Sequence, residues 1–120
     1  MKKVMTIAVL VFSMGAVKQS KKKQNNYIIE IAMVKPIKGT SDQKMRNAMK
    51  SLDTFLKSQK GFISRDFGKA EDEYWVAVVK WQSLKHEKQA EKNSEKCSVC
   101  LKAFALFDKK SIQVRNIIPQ

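Results

Sequence analysis

Histidine occurs once in this 120-residue chain, cysteine and proline twice each, and glycine four times. A single imidazole excludes centres built from several histidines, and with them most zinc hydrolase sites. Two cysteines cannot staple a disulfide scaffold. So little glycine and proline excludes a collagen-like or linker-dominated chain. Arginine is also scarce: of 24 basic side chains only Arg46, Arg65 and Arg115 are arginines, and the lysines lie scattered without a stripe. Nucleic-acid recognition relies on bidentate arginines and on aromatics interleaved with a basic patch, so no nucleic-acid partner is expected despite the net charge of +13. Hydrophobic residues make up 43% and charged ones 29%, the balance of one globular domain.

The first residues read as a targeting segment. Met1-Lys2-Lys3 is a short positive start, and the uncharged run from Val4 to Val17 follows it. That run is shorter than the roughly 20 residues a spanning helix needs, and it ends near the small residues Ser13, Gly15 and Ala16. The expectation is a signal peptide at residues 1–16, an exported (periplasmic or secreted) protein, and no stable membrane span once the signal is removed. Residues 17–26, with four lysines and almost nothing apolar, read as a basic linker. The domain is expected over residues 27–118.

Within it, Tyr27 to Val34 is rich in β-formers and stops at Lys35-Pro36. Met45, Ala48, Met49, Leu52, Phe55 and Leu56 recur at steps of three and four, the apolar face of a helix whose N-cap is offered by Thr40, Ser41 or Asp42. Gly61 is expected to end that helix as its C′ residue. Two strands follow, over Phe62–Phe67 and Glu73–Trp81, with Trp75, Ala77, Val79 and Trp81 on one face of the second. Ser83 to about Asp108 is helical in composition, interrupted at Asn93-Ser94, and Ser111–Ile118 closes the domain as a strand. The order β-α-β-β-α-β predicts an α+β, ferredoxin-like fold: a four-stranded antiparallel sheet with helices on one face. Its other face is left open, which predicts a homodimer.

The run Phe55-Leu-Lys-Ser-Gln-Lys-Gly-Phe-Ile-Ser-Arg-Asp-Phe67, followed by Glu73-Tyr-Trp-Val-Ala-Val-Val-Lys-Trp-Gln-Ser83, resembles the antibiotic-biosynthesis-monooxygenase-like domain of the dimeric α/β-barrel superfamily. The resemblance covers about Tyr27 to Ile118. It implies two sheets closing a barrel across a dimer, and a pocket between each sheet and its helices. Such domains include cofactor-free quinone-forming oxygenases and haem-degrading enzymes. Of the residues expected for haem degradation, Trp81 matches the tryptophan that ends the third strand. The first-strand position falls in the run Ile29-Glu-Ile-Ala-Met33, read as apolar and lacking the asparagine, and His86 stands too early in the second helix. Haem chemistry is therefore not expected, and neither is any other cofactor or metal.

Trp81 is the first pocket candidate, able to stack on a flat aromatic ligand, with packing as the commoner role of such a residue. Trp75 shares its face, and Ile31 and Met33 on the first strand complete the apolar candidates. Arg65 is expected to pair with Glu30 or Asp66, or to hold an anionic ligand. Cys97 and Cys100 follow the apolar spacing of the last helix and are expected in mid-helix, buried or disulfide-bonded, with redox chemistry as the alternative. Three functions stay open: a small oxygenase on an aromatic or quinol-type substrate, a non-catalytic small-ligand-binding domain, and a thiol-redox or stress-related protein. A proton acceptor beside Trp81 would favour the enzyme; a wholly apolar pocket would favour binding.

Overall fold

The computed structural model describes residues 26–120. The expected signal peptide, and the linker up to residue 25, lie outside the described residues. Four strands, β1 (Ile28–Val34), β2 (Phe62–Lys69), β3 (Trp75–Trp81) and β4 (Gln113–Ile117), form one sheet in the order β2-β3-β1-β4 with every neighbouring pair antiparallel. Three helices accompany them: α1 (Asp42–Lys57), α2 (Leu84–Ser94) and α3 (Ser98–Phe104). This is the ferredoxin-like arrangement expected from the element order, with its second helix broken in two.

The ends of the elements carry the local chemistry. Ser41 caps α1, its hydroxyl accepting from the backbone N–H of Lys44 at 3.1 Å, and Met45, Ala48, Met49 and Leu52 are buried against the sheet. The helix stops at Lys57 with Ser58 as its C-cap, so Gly61 is not the C′ residue expected from sequence. Gly61 instead takes φ +85° in the turn into β2, where a Cβ would lie 2.2 Å from the His86 ring. Close approach of α2, as well as backbone conformation, requires glycine there. Strand β3 begins at Trp75, two residues later than expected, because Glu73 adopts φ 78° and ends the extended run. At the far end, Asp108 caps a short 3-10 turn (Lys109–Ser111), which delays β4 to Gln113.

The break between α2 and α3 falls just past Asn93-Ser94, and it relocates the cysteines. Cys97 is the N-cap of α3, not a mid-helix residue; its Sγ accepts from the Cys100 backbone N–H at 3.1 Å. Cys97 and Cys100 are joined in a disulfide.

Two apolar clusters lie between the sheet and the helices. The larger gathers Val34, Trp75 and Ala77 from the sheet with Met45, Met49 and Leu52 of α1, Cys100 and Ala103 of α3, and Phe107. The smaller holds Ile28, Val79, Trp81 and Ala90, with Phe62 and Leu56 beside it. The register places Ile29, Ile31, Met33, Val76 and Val78 on the opposite face of the sheet, which carries no helix.

Candidate functional site

A cavity of about 460 Å³ opens between the covered face of the sheet and the helices. Its wall is mostly apolar, but two charged side chains from one row of the sheet, Glu30 and Arg65, line its floor. In register across the sheet stand Asn116 on β4, Glu30 on β1, Val79 on β3 and Arg65 on β2. Side chains alternate strictly along strands, so all four face the same way as Trp75 and Trp81. The next row, Val114–Ala32–Ala77–Phe67, is apolar again.

Trp81 is 1% exposed and meets Phe62 edge-on, with ring centroids 5.8 Å apart. Its indole N–H donates to Glu30 Oε1 at 2.9 Å. Glu30, inside the run read as apolar, is thus the inward-facing position of β1 and a proton acceptor beside the aromatic wall. Burial raises its pKa above the usual 4.5; the hydrogen bond from Trp81 and the positive charge of Arg65 oppose the rise, and Glu91 adds to it.

A second carboxylate comes from α2. Ser83 caps that helix through the His86 backbone N–H, and Glu87 in its first turn faces inward. Glu87 is only 2% exposed, and Asn116 Nδ2 donates to its Oε1 at 3.2 Å. Its pKa is raised as well, first by burial and then by the negative charges of Glu30 and Glu91, against the pull of Lys88 and the Asn116 hydrogen bond. Asn116 therefore sits beside Glu30 in the sheet and holds Glu87 from below, while its own Oδ1 finds no partner.

Arg65 lines the cavity, its side chain 4% exposed, but pairs with neither Glu30 nor Asp66. Its Nη1 donates to Asp53 Oδ1 at 2.6 Å and to the Met49 carbonyl at 2.8 Å, both on α1, because inward-facing Arg65 meets that helix before it can reach along the sheet. Its Nε has no partner. Trp75 is buried in the larger cluster and is not part of the cavity wall. Ile31 and Met33 both belong to the open face, as strand alternation requires; Ile31 is removed from the pocket, and Met33 touches only the cavity's edge. Cys100 reaches the wall, fully buried. His86 is occupied locally, its Nδ1 2.8 Å from Ser83 Oγ. Among the described residues no three His, Cys, Asp or Glu side chains converge to hold a metal ion.

The sequence reading missed Glu30, Glu87 and Asn116. Alternation alone could have found Glu30, since Ile28, Glu30, Ala32 and Val34 share one face. Glu87 left no such trace, because α2 has hardly any apolar stripe against which to set its rotation.

No family model matches the chain, and no curated protein sequence does. Solved structures do. SnoaB, a cofactor-independent oxygenase from Streptomyces nogalater, superposes with a TM-score of 0.66 at 10% identity, over 79% of this chain and 94% of that one. A protein from Bordetella bronchiseptica, named for antibiotic biosynthesis monooxygenases, reaches 0.67 at 13% identity over 79% and 98%. This chain shares the ferredoxin-like fold of these proteins. A dimeric ferredoxin-like protein of unknown function from Thermobifida fusca shares it too, with a TM-score of 0.62 at 12% identity, covering 80% of this chain and 93% of the other.

Proposed function

We propose that this monooxygenase-like domain is a cofactor-free oxygenase acting on a flat aromatic or quinol-type small molecule. The observation that carries the reading is the Trp81–Glu30 contact: a carboxylate fixed at 2.9 Å from the indole nitrogen, on the floor of a cavity large enough for a fused-ring compound. The chemistry asks little more of the protein. Glu30 accepts a proton from an acidic C–H of the substrate, and the resulting carbanion adds to dioxygen to give a peroxide. The O–O bond then breaks with loss of water, so CH₂ and O₂ become C=O and H₂O. A buried carboxyl with a raised pKa is a stronger base once ionised than a surface glutamate, which suits it to the first step. Arg65, whose Nε has no partner, brings a hydrogen-bond donor to the same floor, where the anion forms.

Dithranol, a hydroxylated anthrone, serves as the probe. Oxygen uptake with formation of the anthraquinone is expected, and Glu30→Gln should lower kcat by about 10²–10⁴-fold. Dithranol bound without oxygen uptake would transfer the domain to the alternative reading, non-catalytic ligand binding.

The assembly proposed is a homodimer through the open face of the sheet, where Ile29, Ile31, Met33, Val76 and Val78 form a central apolar strip. Dimeric ferredoxin-like proteins among the fold neighbours support it. Sedimentation at about twice the monomer mass is expected, and a stable monomer at micromolar concentration would refute it.

A further inference from the structure

The chain carries a net charge of +13, yet the charged residues bordering its mostly apolar cavity are mainly acidic, with Glu91 and Glu95 at its exposed edge. Of eleven acidic side chains four, Glu30, Glu87, Glu91 and Glu95, lie on the cavity wall, against the two cations Arg65 and Lys109. Arg65 is already neutralised by Asp53 at 2.6 Å. Three of the four glutamates form a stripe: Glu87, Glu91 and Glu95 stand at i, i+4 and i+8 along α2 and its C-cap, so they share one side of the helix. Like charges at that spacing cost helix stability, and the nearest cation, Lys88, lies 3.9 Å from Glu87 and 4.0 Å from Glu91, at loose contact and largely in solvent.

Packing does not account for the stripe. Apart from Ala90, the one buried residue of α2 is Glu87 itself, 2% exposed. A carboxylate in that position is normally held on both oxygens. Here Asn116 Nδ2 and distant Lys88 meet Oε1 alone, and among the described residues Oε2 has no hydrogen-bond donor. On the cavity wall, a nearly buried side chain thus keeps one carboxylate oxygen without a protein donor and within reach of a ligand. The group that satisfies it is a donor, and a cationic one gains most, since it also relieves the repulsion among Glu87, Glu91 and Glu30.

We infer that the ligand of this cavity is a flat aromatic molecule bearing a protonated amine, with the ring system against Trp81 and the ammonium group against Glu87 and Glu91. This rests on the reading of the cavity as an aromatic-ligand site and adds the ligand's charge. Glu30, hydrogen-bonded to Trp81, remains free for the proton-accepting role. The α2 stripe then acts as a charge filter. The positive field of the chain as a whole attracts anionic aromatics, and the filter turns them away at the wall.

Three probes of nearly equal shape test this: 9-(aminomethyl)anthracene, 9-anthracenemethanol and 9-anthracenecarboxylate, titrated at neutral pH into the full chain. The amine should bind at least about tenfold more tightly than the carboxylate, opposite to the order that net charge alone would produce. In the variant carrying Glu87→Gln and Glu91→Gln that preference should fall below about threefold, with the neutral alcohol binding as before. Equal or tighter binding of the carboxylate overturns the inference. So does an amine preference that survives the double substitution, or loss of the alcohol together with the amine, which would make the glutamates shapers of the cavity. An amine preference without any turnover of dithranol leaves the charge filter standing and removes only the oxygenase reading. Failure of all three probes to bind removes both.

Discussion

Trp75 and Trp81 stand at the two ends of β3, on the same face, 3% and 1% exposed, and differ in one contact. The Trp75 indole N–H has no partner, and its ring is embedded in the larger apolar cluster with Val34, Met45 and Phe107. The Trp81 N–H donates to a carboxylate, and its ring lines a cavity. One strand thus joins an end whose indole only packs to an end whose indole also holds a polar group. A buried aromatic says little about function; what its polar edge touches says a good deal more.

Truncation should hide this difference. Either Trp75→Ala or Trp81→Ala removes a whole buried indole, and each should cost about 3–5 kcal/mol in urea unfolding. The conservative pair should reveal it. Trp75→Phe gives up no hydrogen bond and relieves an unsatisfied donor, so about 1.5 kcal/mol or less is expected. Trp81→Phe takes away the indole donor of the partly buried Glu30 carboxylate and should cost about 1–3 kcal/mol, with dithranol oxidation reduced as well. Equal costs for the two Phe variants, with activity unchanged, would erase the distinction between the two ends.

The smallest effect is in pH dependence, and it sharpens the same contrast. Glu30 and Glu87 have folded-state pKa values raised above the unfolded 4.5, chiefly by burial, so the folded protein binds their protons more tightly than the unfolded chain. Their contribution is therefore fully present below about pH 4.5 and is lost as pH rises through the raised values. Glu30→Gln and Glu87→Gln should each flatten the decline of stability with pH in that window. Trp81→Phe should steepen it, since the Trp81 hydrogen bond holds the Glu30 pKa down, and Trp75→Phe should leave it unchanged. A slope indifferent to all four substitutions would show that these carboxyls titrate as surface groups do.

Much of this was legible in advance. The α1 stripe and the alternation in β3 are local patterns with a period of 3.6 or 2, and each survived to within a few residues. The elements whose ends moved did so for local reasons of another kind: a left-handed Glu73, a capped 3-10 turn before β4, and a Gly61 kept small by the His86 ring. The cysteines were misplaced because Cys97 and Cys100 have helical spacing whether or not the helix begins at the first of them.

The sequence by itself determined the element order, the apolar faces and hence the ferredoxin-like fold, because hydrophobic periodicity depends only on neighbours along the chain. It also placed Trp81 on the covered face. Which groups meet there was decided by tertiary structure alone. Glu30 and Trp81 are 51 residues apart, Asn116 and Glu87 are 29 apart, and Arg65 found Asp53 on a helix instead of a neighbour in the sheet. Strand register and helix rotation bring these side chains together, and both are set by the packing of the whole sheet against α1 and α2. A carboxylate's partners, burial and charge state follow from that packing, and so does the chemistry available to the cavity.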